Sequence, residues 1–262
     1  MNFDTFSVVV GDKKCNASCP WCIAKRTKTN FDLTLTPNWH RFNRVCAWAN
    51  RITDTAILTG KGEPTLHWDL LVEYTERLHR YRFDFIELMT NGALLSEAGV
   101  AQLEENGLTT LCLSIAHPDN IINNQLMGLP EDYDYRKVIA YANKAGLAVR
   151  LNVTVVKGGV TNLGDMVNVI TTPGVMQSTF REVSHATEFH SSLDWLRDCL
   201  EGYADLLLEY DYGLRVYNYQ GYNVAVSNCL TESVNPRKQR QLIFWPNGEL
   251  TYSWTNKAAR IL

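Results

Sequence analysis

The feature that most limits how this chain can fold is a repeated alternation. Short β-rich runs at 6–11 (FSVVVG), 55–60 (TAILTG), 83–90 (FDFIELMT), 108–116 (LTTLCLSIA), 147–156 (LAVRLNVTVV) and 176–184 (MQSTFREVS) are each followed by a helical pattern, near 37–51, 67–81, 96–106, 131–145, 161–171 and 190–210. Strand followed by helix, again and again, predicts a parallel sheet with right-handed crossovers. An open doubly wound sheet and a curved, barrel-like sheet both satisfy that pattern, and residue parity separates them. Val149, Leu151, Val153 and Val155 alternate with Arg150, Asn152 and Thr154; Leu111, Leu113 and Ile115 alternate with Thr110, Cys112 and Ser114; Ile86 and Leu88 alternate with Glu87, Met89 and Asn91. A parallel sheet covered by helices on both faces reads as continuous apolar runs. One apolar parity and one polar parity instead suit helices outside a curved sheet and a polar ligand inside it. The expected fold is α/β, a partial (β/α)6 TIM-like barrel over residues 1–210.

From residue 211 the pattern changes. LRVYNYQGYNVAVSN and LIFWPNGELTYSW read as two β-hairpins, the second turning at Pro246-Asn247-Gly248. They are expected to form a small C-terminal β-hairpin appendage, residues 211–262, packed on the barrel. The preceding helix, 190–210, carries Leu193, Leu196, Leu200, Tyr203 and Leu207 as an amphipathic stripe. The 262 residues suffice for one large domain with such an appendage.

Formal charge of −3 leaves no footprint for nucleic-acid phosphates or acidic membranes. A nucleic-acid partner would need a basic rim built from Lys25, Arg26, Lys28 and their neighbours. No run reaches the 18 or more apolar residues of a membrane span. The start, MNFDTFSVVVGDKK, has no basic n-region, so a cytoplasmic, reducing location is expected. There the 7 cysteines serve as ligands or packing, not disulfides.

Cys15, Cys19 and Cys22 lie in KKCNASCPWCIAKR, with gaps of three and two residues. Chance would place this spacing in roughly 0.005 of such chains, so it carries information. Structural zinc takes four ligands, and a fourth would have to come from Cys46, Cys112, Cys199 or Cys229. A cubane iron–sulfur cluster held by three thiolates leaves one iron open to a ligand. The loop follows the first strand, at the end of the barrel where such folds place their chemistry.

The Cys-x3-Cys-x2-Cys run, with Trp21 before its last cysteine, resembles the signature of the radical S-adenosylmethionine (radical SAM) superfamily. The resemblance implies a [4Fe–4S] cluster on Cys15, Cys19 and Cys22, whose open iron chelates SAM. An electron from an external one-electron reductant then cleaves SAM to a 5′-deoxyadenosyl radical. Other positions match the family one by one. Gly60-Lys61-Gly62-Glu63-Pro64 resembles the GGEP motif that holds the SAM amino group, with Lys61 as a variant spelling. Asn91, in Thr90-Asn91-Gly92, resembles the segment near the SAM ribose and carboxylate. Ser114 stands where the family places a ribose-contacting serine, and Arg150 and Asn152 stand where it places polar contacts to the SAM carboxylate. Each has an ordinary structural alternative: a glycine turn, an Asn-Gly turn, or a small residue filling a barrel layer.

VIAYANKAGLAVRLNVTVVKGG further resembles the branch that contains the molybdopterin-pathway GTP cyclase. That branch carries a second cluster near the C-terminus; here only Cys199 and Cys229 lie downstream, so a single cluster is expected. Cys46, Cys112 and Cys199 read as packing, and the role of Cys229 is open. His185, after the sixth strand, is a candidate catalytic proton donor, with His117 and His190 also at the mouth. Tyr217, Tyr219, Tyr222, Trp245, Tyr252 and Trp254 suit either a small core or stacking on a flat ring. The expected activity is hydrogen abstraction driving rearrangement, cyclisation or carbon–carbon bond change of a small-molecule or nucleoside-type substrate. Two alternatives stay open: an activase installing a glycyl radical on a partner protein, and a non-enzymatic structural metal-site protein.

Overall fold

The computed structural model describes residues 2–26, 31–183, 186–228, 238–254 and 259–261. All six predicted strands form: β1 (Asn2–Val9), β2 (Thr55–Thr59), β3 (Phe85–Thr90), β4 (Thr110–Ile115), β5 (Ala148–Val155) and β6 (Gln177–Glu182). They pair in chain order and in parallel. The helices are α1 (Ile23–Arg26), α2 (Trp39–Ala49), α3 (Trp68–Arg80), α4 (Glu97–Glu105), α5 (Asn120–Met127), α6 (Tyr135–Lys144), α7 (Leu163–Ile170) and α8 (Asp194–Tyr203). Side-chain caps start several of them. Ser96 accepts from Gly99 N, Asp119 from Ile121 N and Ile122 N, Asp134 from Arg136 N, and Asn162 from Asp165 N. Each such cap is worth about 1 kcal/mol.

Parity decides the two faces as read from the sequence. Phe6, Val8, Leu58, Ile86, Leu88, Leu111, Leu113, Val149, Leu151 and Val153 pack outward with Leu71, Tyr74 and Leu78 of α3, Leu103 of α4 and Ile139 of α6. Burying each of these large side chains stabilises the fold by about 1.5–3 kcal/mol. The opposite parity lines the inside in polar levels. Met89, Cys112, Arg150 and Gln177 are cross-strand neighbours, and so are Ser114, Asn152 and Thr179 one level higher.

The C-terminal part adds β7 (Asp205–Glu209), β8 (Arg215–Tyr219), β9 (Tyr222–Asn228), β10 (Lys238–Phe244) and β11 (Leu250–Thr251). Both predicted hairpins form. Gln220 and Gly221, with φ of 52° and 91°, make the two-residue turn between β8 and β9. Both hairpins meet the barrel edge to edge through backbone pairing: β9 runs parallel to β6, and β10 runs parallel to β1. Among the described residues the result is an 11-stranded open sheet in the order β11-β10-β1-β2-β3-β4-β5-β6-β9-β8-β7.

Two local expectations differ from the structure. The helix expected over 190–210 stops at Tyr203, and Asp205–Glu209 is a strand paired antiparallel with β8. A short apolar run such as DLLLE suits helix or strand equally, and pairing with β8 decides it. Leu193, Leu196 and Leu200 are buried as the stripe requires, while Tyr203 and Leu207 are exposed. Helix α5, inside a stretch read as loop, ends at Gly128 in the left-handed conformation (φ 62°).

At the N-terminal end of the strands the two edges of the sheet approach each other. The turn after β7 stacks Tyr210 on Tyr212 at 5.2 Å, and the Arg240 guanidinium of β10 lies over the Tyr212 ring at 5.2 Å. Burial pushes the Tyr212 hydroxyl well above its usual range. This turn floors the barrel.

Candidate active site

The loop after β1 is held at its base by Asp12. Its carboxylate accepts from Lys14 N (2.8 Å) and meets His67 Nε2 (3.1 Å), and chiefly the Lys14 bond lowers its pKa. Gly11, at φ 73°, lies so close to the His67 ring that a Cβ would sit 2.0 Å from it. The thiols follow. Ala17 N donates to Cys15 Sγ at 3.4 Å, and Cys19 Sγ donates to the Met127 carbonyl at 3.5 Å. Ser18 N reaches that same carbonyl at 2.9 Å. A side chain at Gly128 would place its Cβ 1.8 Å from Ser18 Oγ, so the end of α5 is shaped to the cysteine loop. Trp21 is buried with Ala17, Met127 and Leu129, edge-on to Phe189 at 6.1 Å.

The second motif is pinned to the first through backbone. Glu63 N donates to Lys14 O at 2.8 Å, and a Cβ on Gly62 would lie 2.0 Å from that oxygen. Gly60 would bring a Cβ within 3.2 Å of Val10 O. At Gly62 only glycine lets the backbone press this closely against the cysteine loop. Pro64 opens a single 3₁₀ turn, Pro64–Leu66. The buried Glu63 carboxylate is filled by protein donors: Thr65 N (3.0 Å), Thr65 Oγ1 (2.7 Å), Thr90 Oγ1 (2.6 Å) and Asn91 N (2.9 Å). It therefore organises the rim. Asn91 Nδ2 donates to Asn16 Oδ1 at 2.8 Å and approaches Cys15 Sγ at 3.9 Å; its carbonyl accepts from Tyr133 Oη at 2.8 Å. One hydrogen-bonded unit thus joins the cysteine loop, Glu63 and the end of β3.

Below this unit lie the inner faces of β4 and β5. Half-buried Ser114 pairs in register with Asn152. Asn152 is 4% exposed, and among the described residues neither its amide oxygen nor its amide nitrogen has a hydrogen-bond partner. Leaving such an amide unsatisfied costs about 1–3 kcal/mol. Arg150 sits lower, in an ion pair with Glu87 that spans the intervening β4; Cys112 Sγ donates to the same carboxylate at 3.7 Å. Burial pushes the Cys112 thiol up to about 12.

The remaining expected residues are dispersed. His185, Lys28 and Cys229 lie outside the described residues. His190 pairs with Glu182 at 2.7 Å, and His117 Nδ1 accepts from Asp119 N at 2.9 Å. Arg26 of the supposed basic rim is paired with Glu188 at 2.6 Å. Cys46 is buried in the helix-side core and Cys112 in the barrel floor, so neither can complete a zinc site with the loop thiols. Sequence reasoning named Thr90 only as part of the Thr90-Asn91-Gly92 segment, and missed Asn16, Met127, Gly128 and Tyr133. Of these, only Gly128, a glycine closing a helical pattern, left a readable signal.

Burial raises the Cys15 pKa, and burial followed by the charges of Cys22 and Cys15 pushes Cys19 up to about 12. Thiols in this state keep their protons unless a cation replaces them. Among the described residues no three His, Cys, Asp or Glu side chains are preassembled around a single ion. Three thiols of one loop, near enough for the charges of Cys22 and Cys15 to act on Cys19, together with a glycine cradle and a buried amide without a partner among the described residues, are of the donor types that suit a thiolate-bound cluster with a polar co-ligand.

The comparisons with known proteins agree. A sequence profile of the Radical SAM superfamily matches residues 12–170, more than half of the chain. The uncharacterized protein MJ0103 of Methanocaldococcus jannaschii is 27% identical over 142 residues, covering 51% of this chain and 33% of that protein. Streptococcus suis SuiB bound to precursor peptide SuiA is similar in fold, with a TM-score of 0.65 at 15% identity, covering 95% of this chain and 59% of SuiB. The structure of anSMEcpe with bound AdoMet gives 0.52 at 17% identity, covering 67% of this chain and 50% of that one. This chain thus spans about a third of the curated relative and three fifths of SuiB. Members of the superfamily are enzymes of SAM-dependent radical chemistry that use a [4Fe–4S] cluster and SAM. By its profile, its fold and its cysteine loop, the chain belongs to the Radical SAM superfamily.

Proposed function

We propose that this chain is a single-cluster radical SAM enzyme acting on a small polar or nucleoside-type substrate held inside the barrel. Cys15, Cys19 and Cys22 would hold the [4Fe–4S] cluster. The backbone of Gly60–Gly62, with Ser114, Asn152 and Thr154, would hold SAM. When bound, the pair supplies hydrogen-atom abstraction by a SAM-derived radical, after one electron from an external reductant. The chain's own residues position and shield. Glu63 and Asn91 fix the rim, Trp21 packs behind the cysteine loop, and Arg150, Glu87 and Tyr210 close the floor against water.

The observation that carries this reading is the unpartnered, buried Asn152 amide on the inner face that also bears Ser114, within a barrel whose rim welds the thiol loop to Gly62 and Asn91. The inward parity of β6 and β9, with Thr179, Arg181 and Ser227, supplies polar contacts for a substrate. Rearrangement, cyclisation or carbon–carbon bond change would follow abstraction. A peptide substrate is the second reading. The SuiB structure with its precursor peptide matches 95% of this chain, and anSMEcpe is also known with a bound peptide.

Anaerobic reconstitution tests the class. A brown protein with four irons per chain that releases 5′-deoxyadenosine from SAM supports it. A colourless protein that keeps zinc and never cleaves SAM overturns it. Deuterium transfer into 5′-deoxyadenosine from labelled nucleosides, small metabolites or peptides then separates the substrate classes. A radical formed on a co-purifying protein would instead indicate an activase.

A further inference from the structure

Lys61 is the residue at the rim that the family resemblance leaves unexplained. It stands between Gly60 and Gly62, whose backbones press on the cysteine loop. Its side chain is 7% exposed, and among the described residues no carboxylate forms an ion pair with its ammonium. The contact it does make is with an aromatic wall. Nζ lies 5.0 Å from the Trp254 ring centre; Trp254 is edge-on to Trp245 at 5.6 Å, and Trp245 stacks on Phe31 at 4.1 Å. A desolvated cation–π contact returns about 2 kcal/mol, whereas burying an ammonium costs several. The folded chain alone leaves this cation under-compensated.

The cysteine loop packs against the turn that carries Lys61: a Cβ on Gly62 would meet the Lys13–Lys14 backbone, and Glu63 N donates to Lys14 O at 2.8 Å. Of the charged neighbours acting on the Lys61 ammonium, the Cys22 sulfur favours the charged form and Lys13 opposes it. A cubane core bound by three thiolates is a net anion, and one-electron reduction adds a further negative charge. A buried cation next to it stabilises the reduced state more than the oxidised one.

We propose that Lys61, held against Trp254, is the counter-cation of the cluster and raises its reduction potential. This rests on the cluster reading above. Lys61 acts through charge on the cluster and is a positioning residue for the electron, not a catalytic one.

The test is an EPR-monitored dithionite titration, without SAM, of anaerobically reconstituted wild type, Lys61→Met and Lys61→Arg, alongside iron per chain. Lys61→Met is expected to load normally and to be harder to reduce by about tenfold in the equilibrium, which is 59 mV for a one-electron couple. Lys61→Arg should stay near wild type. Should Lys61→Met load poorly while Lys61→Arg loads fully, the requirement for a cation is met at assembly and the proposal stands. An unmoved or more positive midpoint in a fully loaded Lys61→Met overturns it. So does equal iron loss in both variants, which would mark a purely structural loop residue. A midpoint that stays put while the affinity for an anionic substrate falls would move Lys61 to substrate binding. Wild type that takes no cluster fails the functional reading itself; a full cluster with an unmoved midpoint fails this inference alone.

Discussion

The two ends of the barrel interior are built from the same strands and the same inward parity, yet they treat buried polarity in opposite ways. At the floor, Glu87 and Arg150 pair, Cys112 donates to Glu87, and Tyr212 is covered by Arg240. At the rim, among the described residues, Asn152 has no hydrogen-bond partner and Lys61 no acidic partner, and burial raises the pKa values of the Cys15 and Cys19 thiols. The charged groups named at the floor find partners within the folded chain. Those named at the rim have none among the described residues, and a contrast of this kind marks the end at which local rules are relaxed.

The largest effects should fall on the rim thiols. Cys15→Ala, Cys19→Ala or Cys22→Ala is expected to lose the cluster's absorbance and to lower SAM cleavage by at least about a thousandfold, since a thiolate ligand has no substitute. Cys112→Ala, at the floor, should keep both. Loss of the cluster in Cys112→Ala would break the division between the two ends.

Next comes the floor itself. Glu87→Gln leaves the largely buried Arg150 guanidinium without its counter-charge, and removing one partner of a buried pair costs about 3 kcal/mol. Urea unfolding should show this loss. A Glu87→Leu, Arg150→Met double variant should recover most of it, because two apolar side chains need no partner. A single variant that unfolds like wild type would show that the floor pair contributes nothing to stability.

Much of this was legible from residue patterns, and what was not has a common cause. Alternating β-rich and helical runs identified all six barrel strands, and period-two alternation gave the inner faces of β3, β4 and β5, because parity is a local property. It could place Arg150 and Asn152 on one face, but not say that Glu87 from β3 would meet the first and nothing would meet the second. The strand at 205–209 was hidden because its three leucines suit either geometry until β8 pairs with it. The cysteines and glycines of the site were readable as types at fixed spacing. The bonds that assemble them, Asn91 to Asn16 across 75 positions and Cys19 to Met127 across 108, leave no trace in local sequence.

A smaller effect, opposite in sign to the floor's, is expected at Asn152. Asn152→Leu removes a buried amide that has no hydrogen-bond partner among the described residues. Without ligand the variant should be more stable than wild type by about 1–2 kcal/mol. In reconstituted protein its SAM affinity, measured by calorimetry, should fall by about tenfold. A destabilised variant with unchanged SAM affinity would mean that Asn152 belongs with the floor, as structure and not as site.

The smallest effect is a pH dependence at Lys61 in the cluster-free chain. Burial pulls its pKa from 10.5 down to about 8. Between pH 8 and 10.5 the unfolded chain keeps a proton that the folded chain has released, so this group's contribution to stability rises with pH across that window. Below 8 both states hold the proton and the cost of the buried charge is constant. Buried Cys19, Cys46 and Cys112, whose pKa values are raised, act in the opposite direction, but they do so equally in wild type and Lys61→Met. The difference between the two unfolding curves therefore isolates Lys61. Lys61→Met should be more stable at pH 7 by on the order of 1 kcal/mol, with the gap closing as pH rises from 8 towards 10.5. Cluster loading should reverse the order at neutral pH, because the ammonium then has an anion beside it and the methionine does not. A gap independent of both pH and cluster would assign Lys61 the same self-sufficient character as the floor.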